Sequence, residues 1–201
     1  MTAHHIDREI LDVKLPAGIF DIGAHLREIQ RITEPGDRVF DLVGMYFRED
    51  AYQPFTMPWV VMQQQALTGS FPVLHERLHA SPPVAWIGNY RTVWLCEEAK
   101  RFLLENYVHH AGRIHVLGQQ VSLKRGESTR FVALQSRRYI WEGTGVLRVD
   151  GRRFSSGTLS ASEHRVTADT GSVQGRLRIQ LPDGMPSPVL LVRRPLFVGF
   201  T

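Results

Sequence analysis

The sequence predicts an α+β fold, with N-terminal mixed strands and helices packed on a C-terminal antiparallel sheet. Two observations predict it. Apolar residues recur at helical spacing in several stretches before residue 112, and from Gly112 onward the apolar period drops to two. A chain of 201 residues can bury one sizeable core, so a single domain over 1–201 is expected.

Residues 1–8 read as a loose N-terminus. Ile10 to Leu15 alternate as a strand ended by Pro16-Ala17-Gly18. Asp21 caps a helix through Ile32, with Ile22, Leu26, Ile29 and Ile32 on one face. Glu34-Pro35-Gly36-Asp37 is a turn, and Arg38–Phe47 is a strand rich in β-formers. A helix over Met57–Gly69 organises the first half. Pro58 suits a first helical turn and Gly69 a C-terminal stop, and Pro58, Trp59, Met62 and Leu67 are expected in the core. Phe71–His79 reads as a short helix, Val84–Ile87 as a short strand and Thr92–Val108 as a longer helix. Strands follow over 113–123, 129–141, 145–154, 175–181 and 188–200, with hairpin-like connections at Lys124–Glu127 and Asp150-Gly151. The Ser/Thr/Gly-rich stretch 155–175 is expected as a mobile excursion.

The net charge of +4 conceals an asymmetry. Residues 1–112 carry 10 Lys/Arg against 14 Asp/Glu, and residues 113–201 carry 14 against 6. A basic second half suits nucleic acid, a nucleotide or an acidic partner, and its plainer role is to solvate outward strand faces. Cys96 is the only cysteine, so no intramolecular disulfide forms and a reducing compartment is expected. The polar start MTAHHIDREILDV lacks the apolar run of a secretory signal, and no stretch reaches the ~20 apolar residues of a membrane span. A cytoplasmic protein without membrane partners is expected.

Several chemistries lack their motifs: there is no G-x-S-x-G elbow, no G-x-G-x-x-G turn and no G-x-x-x-x-G-K-[ST] loop. No metal site is expected. His109, His110 and His115 read as a strand–loop group in solvent, no H-x-x-x-H is read on a helix, and Cys96 is remote in pattern. Glu127, Glu142, Asp150 and Glu163 are the carboxylates of the β half that a glycoside hydrolase would draw on, although Glu127 and Asp150 fall in turns. Gly88-Asn89-Tyr90-Arg91 follows an apolar strand and opens a helix, where backbone N–H groups and an arginine receive phosphate. This G-x-x-R turn is similar to that of ParB/sulfiredoxin-like domains and plasmid fertility-inhibition proteins. The resemblance implies nucleotide or DNA binding through Gly88, Asn89 and Arg91. The plainer alternative is a tight turn with Arg91 paired to an acidic neighbour.

The blocks Met57-Pro58, Met62-Gln63, Ala66-Leu67 and Phe71-Pro72 resemble the RolB/RolC family of T-DNA-encoded plasticity proteins. A second set resembles the same family: Gly112–Leu117, Gln120–Leu123, Thr129–Leu134 and Gly145–Phe154. Together they span about residues 40–155. Val61 stands where the family has Trp before Met-Gln, and Trp59 lies two places earlier. The resemblance implies a modulator of plant development or hormone response, with host or plasmid-transfer proteins as partners and the host cytoplasm or nucleus as its place of action. Glucosidase-like or ADP-ribosyltransferase-like activity is also implied, the latter echoed by Ser155-Ser156, Thr158 and Glu163. It assigns no catalytic residue and no cofactor here.

Overall fold

The computed structural model describes residues 22–41, 72–88, 92 and 95–182, and its architecture is α+β. Helix α1 (Ile22–Ile32) buries Ile29 and Ile32 and leads through the Glu34–Asp37 turn into β1 (Val39–Phe40). That turn closes on the Asp37 carboxylate, which accepts the Glu34 N–H at 2.8 Å and pairs with Arg137 from the far half of the chain. Helix α2 (Pro72–Ala80) begins on a proline, whose missing N–H is no loss in a first turn. The short β2 (Ala85–Ile87) follows, then α3 (Glu97–Asn106).

The strands form two sheets. The first has seven strands in the order β1-β2-β4-β11-β6-β9, with β3 also paired to β4. Its spine is β4 (Ile114–Leu123): the first half pairs with both β2 and β3 (Tyr107–Ala111), the second half with β11 (Val173–Ile179). Then come β6 (Arg137–Thr144) and β9 (Ser156–Leu159). Only β1 and β2 run parallel in this sheet. The second sheet is antiparallel with order β5-β10-β7-β8, from Ser128–Val132, Glu163–Ala168, Leu147–Val149 and Arg152–Phe154. The Lys124–Glu127 turn, with Gly126 at φ +79°, carries the chain from β4 into β5. Phe131, Leu147, Val149, Val166 and Ala168 make the buried face of the smaller sheet. Phe131 meets Tyr139 of the larger sheet edge-to-face at 5.5 Å, so the two sheets share one core. Burial pushes the Tyr139 phenol up to about 12, and its O–H donates to the Gln135 carbonyl. Between β6 and β11 the larger sheet leaves no room for a side chain. Gly143 and Gly175 face each other on β6 and β11, and a Cβ on Gly143 would stand 2.5 Å from the Gln174 carbonyl oxygen and from the Trp141 ring.

Several expectations are corrected. The helix expected over Thr92–Val108 starts only at Glu97, after a turn in which the Leu95 N–H bonds the Thr92 carbonyl. It stops at Asn106 because Tyr107 is extended and its hydroxyl donates to Pro83 at 2.7 Å, which opens β3. The single strand expected over 129–141 is two strands in different sheets. The excursion expected over 155–175 forms β9, β10 and the start of β11. Its polar composition hides an alternation in which Leu159, His164, Val166, Ala168 and Val173 turn inward. Asp150-Gly151 is the tight hairpin expected, with φ of +51° and +78°. The expected strands at 10–15 and 188–200 lie outside the described residues, as does the Met57–Gly69 helix with Pro58, Trp59, Met62 and Leu67. Among the described residues no helix is long and apolar enough to cross a membrane.

Candidate nucleic-acid interface

Alternation along β10 decides what the smaller sheet shows to solvent. With His164, Val166 and Ala168 inward, Glu163, Arg165 and Thr167 point outward. The register then sets Arg130 of β5 directly opposite Arg165. One row along, Ser128, Thr167, Arg148 and Arg153 follow one another across β5, β10, β7 and β8. Four arginines and two hydroxyls thus share one face, and both arginine pairs are direct cross-strand neighbours. Like charges placed opposite each other in a sheet are destabilising. Two acids temper the face: Glu163 lies 3.4 Å from Arg130, both more than 60% exposed, and Asp169 lies 2.7 Å from Arg148. Arg148 also donates to the Gly151 carbonyl and Arg165 to the Ser128 hydroxyl. The Asp150 carboxylate is turned toward the sheet edge, where Oδ1 accepts the Arg165 N–H and Oδ2 bonds His164.

That last contact resembles a nucleophilic triad. His164 Nδ1 is 2.7 Å from Asp150, and Nε2 is 3.3 Å from the Ser162 hydroxyl. Yet Nε2 is also 3.0 Å from the Ser160 carbonyl oxygen, a partner that accepts only a proton. A ring flanked by a carboxylate and a carbonyl favours the charged imidazolium, and a base needs a free lone pair there. Burial works against that charge, but the bonds to Asp150 and Ser160 outweigh it and hold the His164 pKa above the usual histidine range. The arrangement is a clamp between two hairpin turns.

The other predicted residues are dispersed. The Gly88 N–H donates to the Arg113 carbonyl at 2.8 Å, so it serves the β2–β4 region and faces no ligand; Asn89 and Arg91 lie outside the described residues. Glu142 sits between Arg176 and Arg178, which overcome its burial and hold its carboxyl below the usual range. Asp150 is held low by His164, and Glu127 accepts the Lys124 N–H at 2.7 Å. Held low by their cationic neighbours, neither Glu142 nor Asp150 is poised as a general acid. Ser156 and Thr158 lie on β9, and Glu163 opens β10.

The histidines expected as a solvated cluster divide. His110 donates to the fully buried Glu28, while His115 stacks on Trp86 at 4.3 Å and is pushed down to about 4, chiefly by burial. Comparison with protein-family models, curated proteins and solved structures finds no match for this chain.

Two sets of residues went unread in the sequence. The facing of Arg130 with Arg165 and of Arg148 with Arg153 depends on register, and no local pattern announces it. The second set corrects the expectation that no H-x-x-x-H lies on a helix: His75 and His79 stand one turn apart on α2 with their Nε2 atoms 2.9 Å apart, a spacing the sequence itself carries in His75-Glu76-Arg77-Leu78-His79.

Proposed function

We propose that this chain binds nucleic acid through the outward face of β5-β10-β7-β8, gripping phosphates without reading bases. The observation that supports it is the opposition of Arg130 to Arg165 and of Arg148 to Arg153 on a solvent face. A polyanion turns that mutual repulsion into attraction, and guanidinium groups match phosphate oxygens in bidentate fashion. Ser128 and Thr167 add hydroxyls of the kind that contact phosphate and sugar. An aromatic side chain is missing from the two central rows of the face, so base stacking contributes nothing there. This reading keeps the nucleic-acid partner expected of the basic second half and moves it from the Gly88–Arg91 turn to a sheet. It accords with the cytoplasmic location expected from the sequence. The regulatory and fertility-inhibition roles implied by the two resemblances are effects that such binding would serve.

Fluorescence anisotropy with a labelled 20-base-pair duplex tests it. Affinity should fall with salt along a slope of about −0.9 for each phosphate neutralised, or about −3 to −4 for four arginines. Serine at positions 130, 148, 153 and 165 together should flatten that slope to near zero. Arg125, off this face in the β4–β5 turn, is the control. Equal binding by the fourfold variant would remove the proposal.

A further inference from the structure

The cationic face carries its four arginines in a line. Neighbouring strands stand about 4.8 Å apart, and residues on one side of a strand follow one another at about 6.8 Å. In the order β5-β10-β7-β8, Arg130 and Arg165 occupy one row, and Arg148 and Arg153 the next. The single change of row falls between Arg165 and Arg148. The four Cα positions therefore lie along a diagonal of about 16 Å. Thr167 fills the corner of that step, two residues beyond Arg165 on β10 and directly opposite Arg148 on β7. Ser128 stands opposite Thr167 and accepts from Arg165 at 3.4 Å. The other corner belongs to Asp150, whose carboxylate is taken up by the Arg165 N–H and by His164. Guanidinium and hydroxyl donors thus succeed one another along the diagonal.

Carboxylates border the line on both sides. Glu163 precedes Arg165 by two residues on β10 and lies 3.4 Å from Arg130. Asp169 follows Thr167 by two residues and lies 2.7 Å from Arg148. By strand geometry each stands within about 10 Å of the diagonal, on opposite sides of it. A duplex presents two backbones, separated by grooves about 6 and 12 Å wide. A second backbone running beside the first would pass over one of those acids. Successive phosphates of one strand follow its path at about 6–7 Å, more than the 3.4 Å axial rise because the strand winds. The diagonal accordingly matches a run of three to four phosphates on one strand.

Resting on the nucleic-acid reading above, we infer that the ligand of this face is one sugar–phosphate backbone, so that single-stranded nucleic acid is its sufficient substrate. Arg130, Arg165, Arg148 and Arg153 hold three to four consecutive phosphates in that order. Thr167 and Ser128 offer hydroxyls to the phosphate at the step between the two pairs. The bases turn away from the sheet, whose two rows give them nothing aromatic to stack on. A duplex is held through one of its strands and gains nothing from the other.

The test measures fluorescence anisotropy with the full-length chain at about 50 mM salt, where phosphate contacts are strong. The probes are labelled thymidylate oligonucleotides of two, six and twenty nucleotides, a hexamer of abasic residues and a 20-base-pair duplex. Affinity should rise more than about tenfold from dimer to hexamer and, per site, stay within about threefold up to the twenty-mer, because the line is full at four phosphates. The abasic hexamer should bind within about threefold of the thymidylate hexamer. The twenty-mer should bind within about fivefold of the duplex, with a salt slope of about −2 to −3 at −0.7 for each phosphate. Arg153→Ser removes one end of the line on the edge strand β8 and should bring that slope nearer zero by about 0.7. A duplex bound more than about fivefold tighter than the single strand overturns the single-backbone line and leaves the nucleic-acid reading standing. So does an abasic hexamer that fails to bind where the duplex binds. No salt-dependent binding of either form removes both.

Discussion

Around the larger sheet Glu28 sits between Arg31 and His110, and Glu142 between Arg176 and Arg178; across the smaller sheet Arg130 faces Arg165 and Arg148 faces Arg153. The first pattern surrounds each carboxylate with donors, Glu28 fully buried and Glu142 31% exposed. The second lines up cations in solvent, with Arg130 and Arg148 only partly offset by Glu163 and Asp169. Charges that serve the fold are paired, because an unpaired charge in a core is strongly unfavourable. Charges set against their own kind weaken the fold slightly, and the proposed nucleic-acid face rests on that contrast.

The largest effect expected from this contrast is at Glu28, whose side chain is fully buried at the docking of α1 on β3. Glu28→Ala leaves Arg31 and His110 facing each other without their anion. A loss of about 3–5 kcal/mol is expected, as for other broken buried pairs. Such a loss is much of the stability of a typical domain. Urea denaturation followed by circular dichroism measures it. A loss below about 1 kcal/mol would mean that the larger sheet treats charge no differently from the smaller one.

An intermediate effect is expected from His115, a group the same sheet keeps uncharged. Folded His115 takes its proton only near pH 4, against 6.5 ordinarily, because burial against Trp86 and the nearby His109 disfavour the cation. Between those values the unfolded chain binds more protons, so stability is full above about 6.5 and falls as the pH drops toward 4. The difference corresponds to about 3 kcal/mol. His115→Phe keeps a ring on Trp86 and removes the titration. The difference in unfolding free energy between pH 7 and pH 4.5 should therefore shrink in that variant. An unchanged difference would assign the acid sensitivity to the carboxylates instead. Glu28 and Glu142 also contribute below their ordinary pKa of 4.5, where their ion pairs are lost on protonation.

What the chain discloses about itself follows the same division. Period-two stretches such as 113–123 and the Asp150-Gly151 turn were legible because local sterics and alternation act over a few residues. The boundary of α3 was not, since the apolar stripe runs on through Tyr107 and Val108 while pairing with β4 takes both into a strand. Residues 155–175 were misread because a polar composition can carry a buried alternation. In the interface, arginine content was visible from the charge asymmetry, but which arginines face each other is a property of register. His75 and His79 are the reverse case: their spacing on a helix stands in the sequence, yet the reading that no H-x-x-x-H lies on a helix passed over it.

The smallest effect expected carries the most information, because its sign is unusual. Substitutions mostly destabilise, and a β-branched residue in a strand is favourable in its own right. Arg165→Thr removes the guanidinium facing Arg130, and its hydrogen bond to Ser128, at 3.4 Å, is a weak one to lose. The Arg165 backbone N–H keeps its bond to Asp150, so the clamp to His164 survives. Stability should rise by about 0.2–1 kcal/mol at low salt, the range for relief of opposed like charges. At about 0.5 M salt the gain should fade to the propensity difference alone, since exposed charges are screened within a few ångströms. The same variant should bind duplex DNA more weakly, with a salt slope nearer zero by about one unit. A more stable protein that holds DNA less well is what a surface retained for a ligand gives. If Arg165→Thr instead loses stability at every salt concentration, its arginine was supporting the strand, and the contrast between the two sheets would fall with it.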